Sequence, residues 1–434
     1  MPNTGNYTAN KYILKIVGVF HCHRDFYKNA LQHGYVELTN SDIEKSIYKD
    51  TYYPDIRKVM FLNETRQHKA LNKIYTNEDL ILSTSNLNKQ ISLKITESRI
   101  DIFENDFGLF SLSIKINKDF VQLTDFSDAS FLSRGFDNIV LSHNDMKWHQ
   151  YIESKILLNQ STRGDGITID DYSGSKYKCY MIIDSSSFET NTIDSRNLVL
   201  ADISTFNRIG TCANIDNNSF SDTYQRKIKK QGNISIFNGW CGQALLDSYT
   251  VVGDQILGNE YAIKTFEKTY FTIYIYCLYL KYTLFKYNYE ISDFDEDKRE
   301  HFGDFIKKYY FPYISYNFLP TELFNSIREG LDIEKEMHII ENKIKTIGES
   351  IQEDQQKRTN KILGIVSIIT AFPQVVPIWE KVNEFEKQLN WNPICFWGLI
   401  LLISLSIGSY LLIFIFGKKQ LLKWKDAIVS KFIK

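Results

Sequence analysis

The chain has 434 residues with 51 Lys and Arg against 52 Asp and Glu, a formal charge of −1, which lacks the strongly basic face that bulk nucleic-acid binding demands. Six cysteines, none in a C-x-x-C pair, form neither a zinc ribbon nor a secreted disulfide framework and fit a reducing compartment. Tyr (27) and Phe (29) far outnumber Gly (21) and Pro (7), which argues for packed regular structure and against long disordered linkers.

The N-terminal "MPNTGNYTANKYILKIVGVF" has a polar start, a short apolar run and no small-residue cleavage pattern, so it lacks the layout of a signal peptide. The N-terminal part is expected in the cytosol. Eight short runs, "YILKIVGVF", "KVMFL", "ISLKI", "RIDIF", "LFSLSIKI", "CYMIID", "LVLADI" and "NISIF", read as strands, with "ENDFG" as a hairpin turn. They predict an α/β or α+β domain over residues 1–320. Residues 265–289 are aromatic on nearly every side. Their longest uncharged stretch, Thr269 to Leu280, is 12 residues, too short to span a bilayer, and a buried helix is predicted.

No catalytic constellation is present, and an enzyme is not predicted. "HCH" (His21 to His23) offers metal-ligand types, but neighbouring strand residues point to opposite faces. His143 and His149 lack the H-E-x-x-H spacing, and the metal question is left unassigned. Arg163, in "STRGDGITIDD", can meet a phosphate or sit in an ordinary solvated loop; Arg226, Lys227, Lys229 and Lys230 pose the same alternative. Trp240, in "FNGWCGQALLDSYTVVG", can stack on a base or pack its loop on the core.

After Pro320, Thr321 and Glu322 make a plausible helix start, and Ile333, Met337, Ile340, Ile344, Ile347 and Ile351 recur at alternating spacings of 4 and 3, an apolar heptad seam. A stalk helix over residues 321–360 is predicted, continuous from Thr321 to Pro373 and about 78 Å long. Two apolar runs follow within residues 361–434. Residues 394–416 are 23 long without a charge, enough to cross a hydrocarbon core of about 30 Å, whereas residues 361–379 are barely long enough and contain Pro373 and Pro377. The short "EKVNEFEKQLNWN" between them makes a membrane hairpin. Lys357, Arg358 and Lys361 precede it, and Lys418, Lys419, Lys423 and Lys425 follow it. The positive-inside rule then predicts a two-pass protein of the cell's inner (plasma) membrane with both termini cytoplasmic.

Proline in a membrane helix frees a carbonyl that hydrocarbon cannot satisfy, so protein or water is expected beside Pro373 and Pro377. Asn360, Gly364, Ser367, Ala371 and Gln374 fall on one helix face. That face is either a close packing seam or the lining of an aqueous pore.

This layout resembles the CorA family of divalent-cation channels, most specifically from Leu319 to Lys425, where "LPTELFNSIREGLDIEKEMHIIENKI" and "RTNKILGIVSIITAF" carry the likeness. The resemblance implies a homopentamer in a lipid bilayer with the first membrane helix lining the pore. The family's Gly-Met-Asn signature is absent, with "PQVVPIWEKVNE" in its place, so magnesium selectivity is not carried over. The enlarged soluble part looks like that of the CorA-like membrane effectors associated with type III CRISPR systems of antiviral defence. A nucleotide second messenger would then be the ligand, a cyclic oligoadenylate or a conjugate of S-adenosylmethionine with AMP, with no covalent cofactor and with a divalent cation left open as a partner. Trp240 and Arg163 are the residues chosen, on side-chain chemistry, for its base and phosphate. Two other readings stay open, a divergent divalent-cation transporter and a membrane-anchored binding protein without a pore.

Overall fold

The computed structural model describes residues 7–60, 68–84, 90–103, 107–135, 139–142, 146–162, 176–186, 193–211, 232–234, 239–290 and 296–389, with Gly398 and Leu401. The chain divides into two compact units, Met1–Glu341 and Asn342–Lys434.

The first unit is organised on a large sheet. Its strands are β2 (Lys11–His21), β3 (Val36–Glu37), β4 (Lys69–Thr84), β5 (Gln90–Ile102), β6 (Phe107–Ile116), β8 (Ile139–Leu141), β9 (Lys178–Asp184), β10 (Asn233–Ile234), β11 (Trp240–Leu245) and β12 (Ser248–Gly253). The order is β10-β11-β12-β9-β2-β6-β5-β4-β3, with β8 also on β4. Short strands β1 (Thr8–Ala9) and β7 (Val121–Gln122) pair with each other. Among the described residues only β12 and β9 run parallel, and the other pairings are antiparallel. The middle strands have both faces covered, which is why β2 and β9 are near-continuous apolar runs: all seven residues of β9 are buried.

Gly18 lies opposite Phe110 and Phe20 opposite Gly108, and a Cβ on either glycine would come within 2.5 Å of the facing ring. Each ring fills the space that its partner leaves. "ISLKI" and "RIDIF" fall in one strand, β5, irregular between Ile95 and Glu97, which pairs antiparallel with β6; Glu104 to Asp106 of the expected turn "ENDFG" lie outside the described residues. "FNGWCGQALLDSYTVVG" is mostly the β11–β12 hairpin, a core element.

Two expected strands are helices. "KVMFL" enters α3 (Pro54–Met60), which follows α1 (Phe26–Gln32) and α2 (Asp42–Thr51). "LVLADI" belongs to α6 (Ile193–Ser204), after α4 (Leu123–Ser133) and α5 (Trp148–Tyr151). Short apolar runs do not separate strand from buried helix by periodicity, and here the flanking residues extended both into helices. From Glu260 to Glu290 the chain is helical without a break: α7 (Glu260–Lys264), a π-helical turn (Thr265–Tyr270) and α8 (Phe271–Glu290). Phe271 through Leu280 are all buried, so this aromatic helix spends its apolar surface inside the fold.

After α9 (Glu296–Tyr309), the expected single stalk helix is two: α10 (Phe318–Gly330) and α11 (Ile333–Leu389), with Asp332 at φ 55° between them. Just before the break α10 packs tightly at Gly330, where a Cβ would lie 2.3 Å from the Ala244 carbonyl oxygen. Charged ties fix the joint. Arg328 pairs with Glu334 and donates to the Tyr310 hydroxyl (2.7 Å), which donates to Glu334 (2.8 Å). Lys281 and Asn288 of α8 reach Glu336 at 3.0 and 2.8 Å. Of the heptad seam, Ile333, Met337 and Ile340 are buried within this unit, so that half of the seam is covered by the chain itself.

In the second unit, Ile347 is buried while Ile344 and Ile351 are half-buried. The helical backbone of α11 passes through Pro373 and Pro377 to Leu389, into the segment expected to be a loop. Among the described residues, no helix is long and apolar enough to cross a membrane. Residues 394–416, apart from Gly398 and Leu401, and the basic tail lie outside the described residues, as do the side chains of Ala371 and Gln374.

Candidate functional site

A cleft of about 550 Å³ opens in the first unit between α2, the α7–π-turn segment and the start of α10. On one wall, α2 begins with a capping box: Ser41 Oγ accepts from the Glu44 amide (3.3 Å) and Glu44 Oε2 accepts from the Ser41 amide (2.7 Å). That arrangement leaves Glu44 Oε1 to reach across to Lys268 Nζ at 2.5 Å. Tyr48 and Thr51 follow one and two turns along the same face.

The opposite wall is the π turn. Its wider winding presents Thr265, Lys268, Thr269 and Tyr270, and α7 before it adds Tyr261 and Lys264. Asn317, Leu319 and Pro320 close the third side. Lys264 pairs with Glu260 at 2.7 Å.

The electrostatics keep these charges in place. Burial raises the Glu44 carboxyl, but hydrogen bonds from Lys268 and Ser41 and the lysine's charge outweigh it and leave the group below its ordinary range. Burial, and then the Glu44 charge, lift the Tyr48 hydroxyl, which Thr269 and Arg99 partly oppose. Burial pushes Tyr270 up to about 12. The cleft therefore offers aromatic faces, hydroxyls, and two lysines each beside a glutamate. It suits noncovalent binding of a ligand with an aromatic ring and charges. Cysteines 22, 179, 241 and 277 are buried, and burial pushes Cys179 and Cys241 up to about 12, which makes them poor nucleophiles.

Trp240 opens β11 half-buried, with its ring edge-on to Phe266 at 6.5 Å, and it does not line the cleft. Arg163, like Cys212, Cys395, His143 and the Arg226 to Lys230 cluster, lies outside the described residues. His21 and His23 do come together, ring centroids 4.8 Å apart, because residues two apart on an extended chain share a face; Cys22 points inward. His149 is buried. Among the described residues no three His, Cys, Asp or Glu side chains converge as a metal site. Asn360, Gly364, Ser367, Ala371 and Gln374 all lie on α11; Asn360 and Ser367 are exposed, and Ser367 Oγ donates back to the Leu363 carbonyl (2.8 Å).

The cleft residues were not among the sequence candidates. Their one local signal is S-D-I-E at Ser41 to Glu44, a capping pattern whose second carboxylate oxygen is put to a further use that no local pattern specifies. Comparison with protein families, with curated proteins and with solved structures finds no match to this chain.

Proposed function

We propose that this chain is a CorA-like homo-oligomeric membrane effector of antiviral, type III CRISPR-associated defence. A nucleotide second messenger binds its first unit and alters the membrane or its ion balance. The observation that supports this most is α11, one helix that starts among the core contacts of the first unit. It runs on through the proline-bearing apolar stretch, and along it Asn360, Gly364 and Ser367 fall on one face. In this reading the protein is a pentamer in the inner membrane, two-pass, with cytoplasmic termini, and that face lines the pore.

The messenger site is the α2–π-turn cleft rather than Trp240 with Arg163. Pockets of this size take one drug-sized ligand. The cleft's two lysines are balanced by two glutamates, which suits a ligand bearing both signs of charge. The S-adenosylmethionine–AMP conjugate has a sulfonium, an amine, a carboxylate and one phosphodiester. It fits that balance better than a cyclic oligoadenylate, whose charges are all negative. Calorimetry of the full-length protein against both compounds, followed by ion flux from liposomes with and without each, is the test. Binding of the conjugate below about 100 μM, weakened at least tenfold by Lys268→Met, is expected, since a charge-assisted phosphate contact is worth about 1.5–3 kcal/mol. Binding that is indifferent to Lys268→Met would move the site elsewhere; no binding of either compound would favour a divergent divalent-cation transporter.

A further inference from the structure

Glu44 holds two partners at once, its own helix start through Ser41 and the π turn through Lys268. The pair therefore fastens the first turn of α2 to the opposite wall of the cleft. At its other end α2 is fastened again. The Tyr53 amide donates to the Ile314 carbonyl (3.2 Å), the Tyr316 amide to the Thr51 carbonyl (2.9 Å), and Ser315 Oγ to the same Thr51 carbonyl (2.6 Å). Tyr53 and Tyr316 pack ring against ring at 4.2 Å. This strap leads directly into α10, whose first residues line the cleft and whose last turn holds α11 through Arg328 and Glu334. A ten-residue helix thus joins a charged contact at the cleft mouth to the segment that positions α10.

We infer that the Glu44–Lys268 ion pair is a latch that a phosphate-bearing ligand opens by taking Lys268, and that the freed α2 loosens the Thr51–Tyr316 strap and, through it, the α10–α11 joint. The inference rests on the proposed reading of the cleft as the ligand site and adds how occupancy leaves it. A phosphate drawn to Lys268 comes close to Glu44, and like charges at that range repel, so the closed latch binds the ligand more weakly than the open one. That difference in affinity is what a population shift requires.

Hydrogen exchange of the full-length protein in detergent, without ligand and with AMP as the probe, tests it. Glu44→Gln keeps an acceptor for the Ser41 amide but removes the ionic latch. It is expected to speed exchange of the Tyr53 and Tyr316 amides about fivefold without ligand, the scale of one partly exposed ion pair. Lys268→Met should do the same, and the double variant Glu44→Gln with Lys268→Met should exchange no faster than either single one, because both remove the same pair. AMP should accelerate the same amides in the unaltered protein and add nothing in Glu44→Gln, with β2 and β9 amides unchanged throughout. Unchanged strap exchange in both single variants overturns the latch whatever AMP does. AMP that binds by calorimetry yet leaves strap exchange unchanged overturns opening by the ligand. Accelerated exchange in the variants with no AMP binding at all overturns instead the reading of the cleft as a nucleotide site.

Discussion

Asp101 is fully buried beside Arg99, whose Nε and NH2 donate to it at 2.9 and 2.7 Å, and beside His68 Nε2 at 2.9 Å. Burial alone would raise its carboxyl, but the Arg99 charge and the His68 contacts outweigh burial and lower it. Asp247 is lowered in the same way, burial being overcome by Lys178 and Arg134. In the unfolded chain both titrate near the ordinary value of about 3.9. Above that range both states are ionised and the full stabilisation is present; as pH falls, the unfolded chain takes up protons first and the advantage is lost through the lower, folded range. Urea midpoints should therefore fall as pH drops below about 5, and Asp247→Asn should flatten that acid limb. A second residue-scale prediction concerns Glu336, which with Lys281 is largely withdrawn from solvent. Glu336→Ala leaves the ammonium of Lys281 without its partner. A loss of about 2–4 kcal/mol in denaturant unfolding is expected, and Lys281→Met added to it should recover part of that loss. At this scale the sequence was least informative, because Trp240 was legible as an aromatic in a Gly-rich segment but its pairing into β11 was not. Which lysine meets which carboxylate depends on elements more than two hundred residues apart, as for Glu44 and Lys268.

Among elements, the strands with sustained apolar runs, β2, β6 and β9, were readable from the sequence, as was the burial of α8. The 16-residue β4 was not, since Asn77, Glu78 and Asp79 interrupt its alternation where its pairing with β5 shifts between Ile74 and Glu78. The α10–α11 break was also missed. Gly330 looks no different in sequence from Gly348, which stays inside a helix, and only the approach of Ala244 distinguishes them. Gly330→Ala is accordingly expected to cost about 1–3 kcal/mol in thermal or denaturant unfolding, whereas Gly348→Ala, with open space around it, should be neutral or slightly stabilising. Equal effects at the two glycines would refute the close packing of Gly330 on Ala244.

For the whole molecule, the buried half of the heptad seam changes what the assembly can use. Ile340→Ala should lower unfolding stability by about 2–5 kcal/mol through a cavity in the first unit while leaving the oligomer mass in detergent unchanged. The proposed pentamer then draws its contacts from residues beyond it. A stable monomer at micromolar concentration would end the pore proposal. If the Asn360 to Gln374 face lines a pore, Ser367→Leu should suppress liposome ion flux at unchanged oligomer mass, while Ile369→Leu should not. The bond of the Ser367 hydroxyl runs back to the Leu363 carbonyl of the same helix and adds to, rather than replaces, a backbone hydrogen bond, so a fall in flux would report bulk and lost water contacts rather than a broken helix.

The π turn at Thr265–Tyr270 has a consequence for how this fold tolerates change. Its hydrogen bonds span five residues where an α turn spans four, so it amounts to one surplus residue carried inside a helix, and each residue turns an α-helix by about 100°. Residues after it keep the phase that buries Phe271 to Leu280, while residues before it are rotated independently of that phase. The turn thus works as a clutch between two halves of one rod. Shortening it by a residue would swing Tyr261 and Lys264 away from the cleft without disengaging a single tyrosine of α8 from the interior, so ligand preference can drift by small insertions and deletions there while the interior stays as it is.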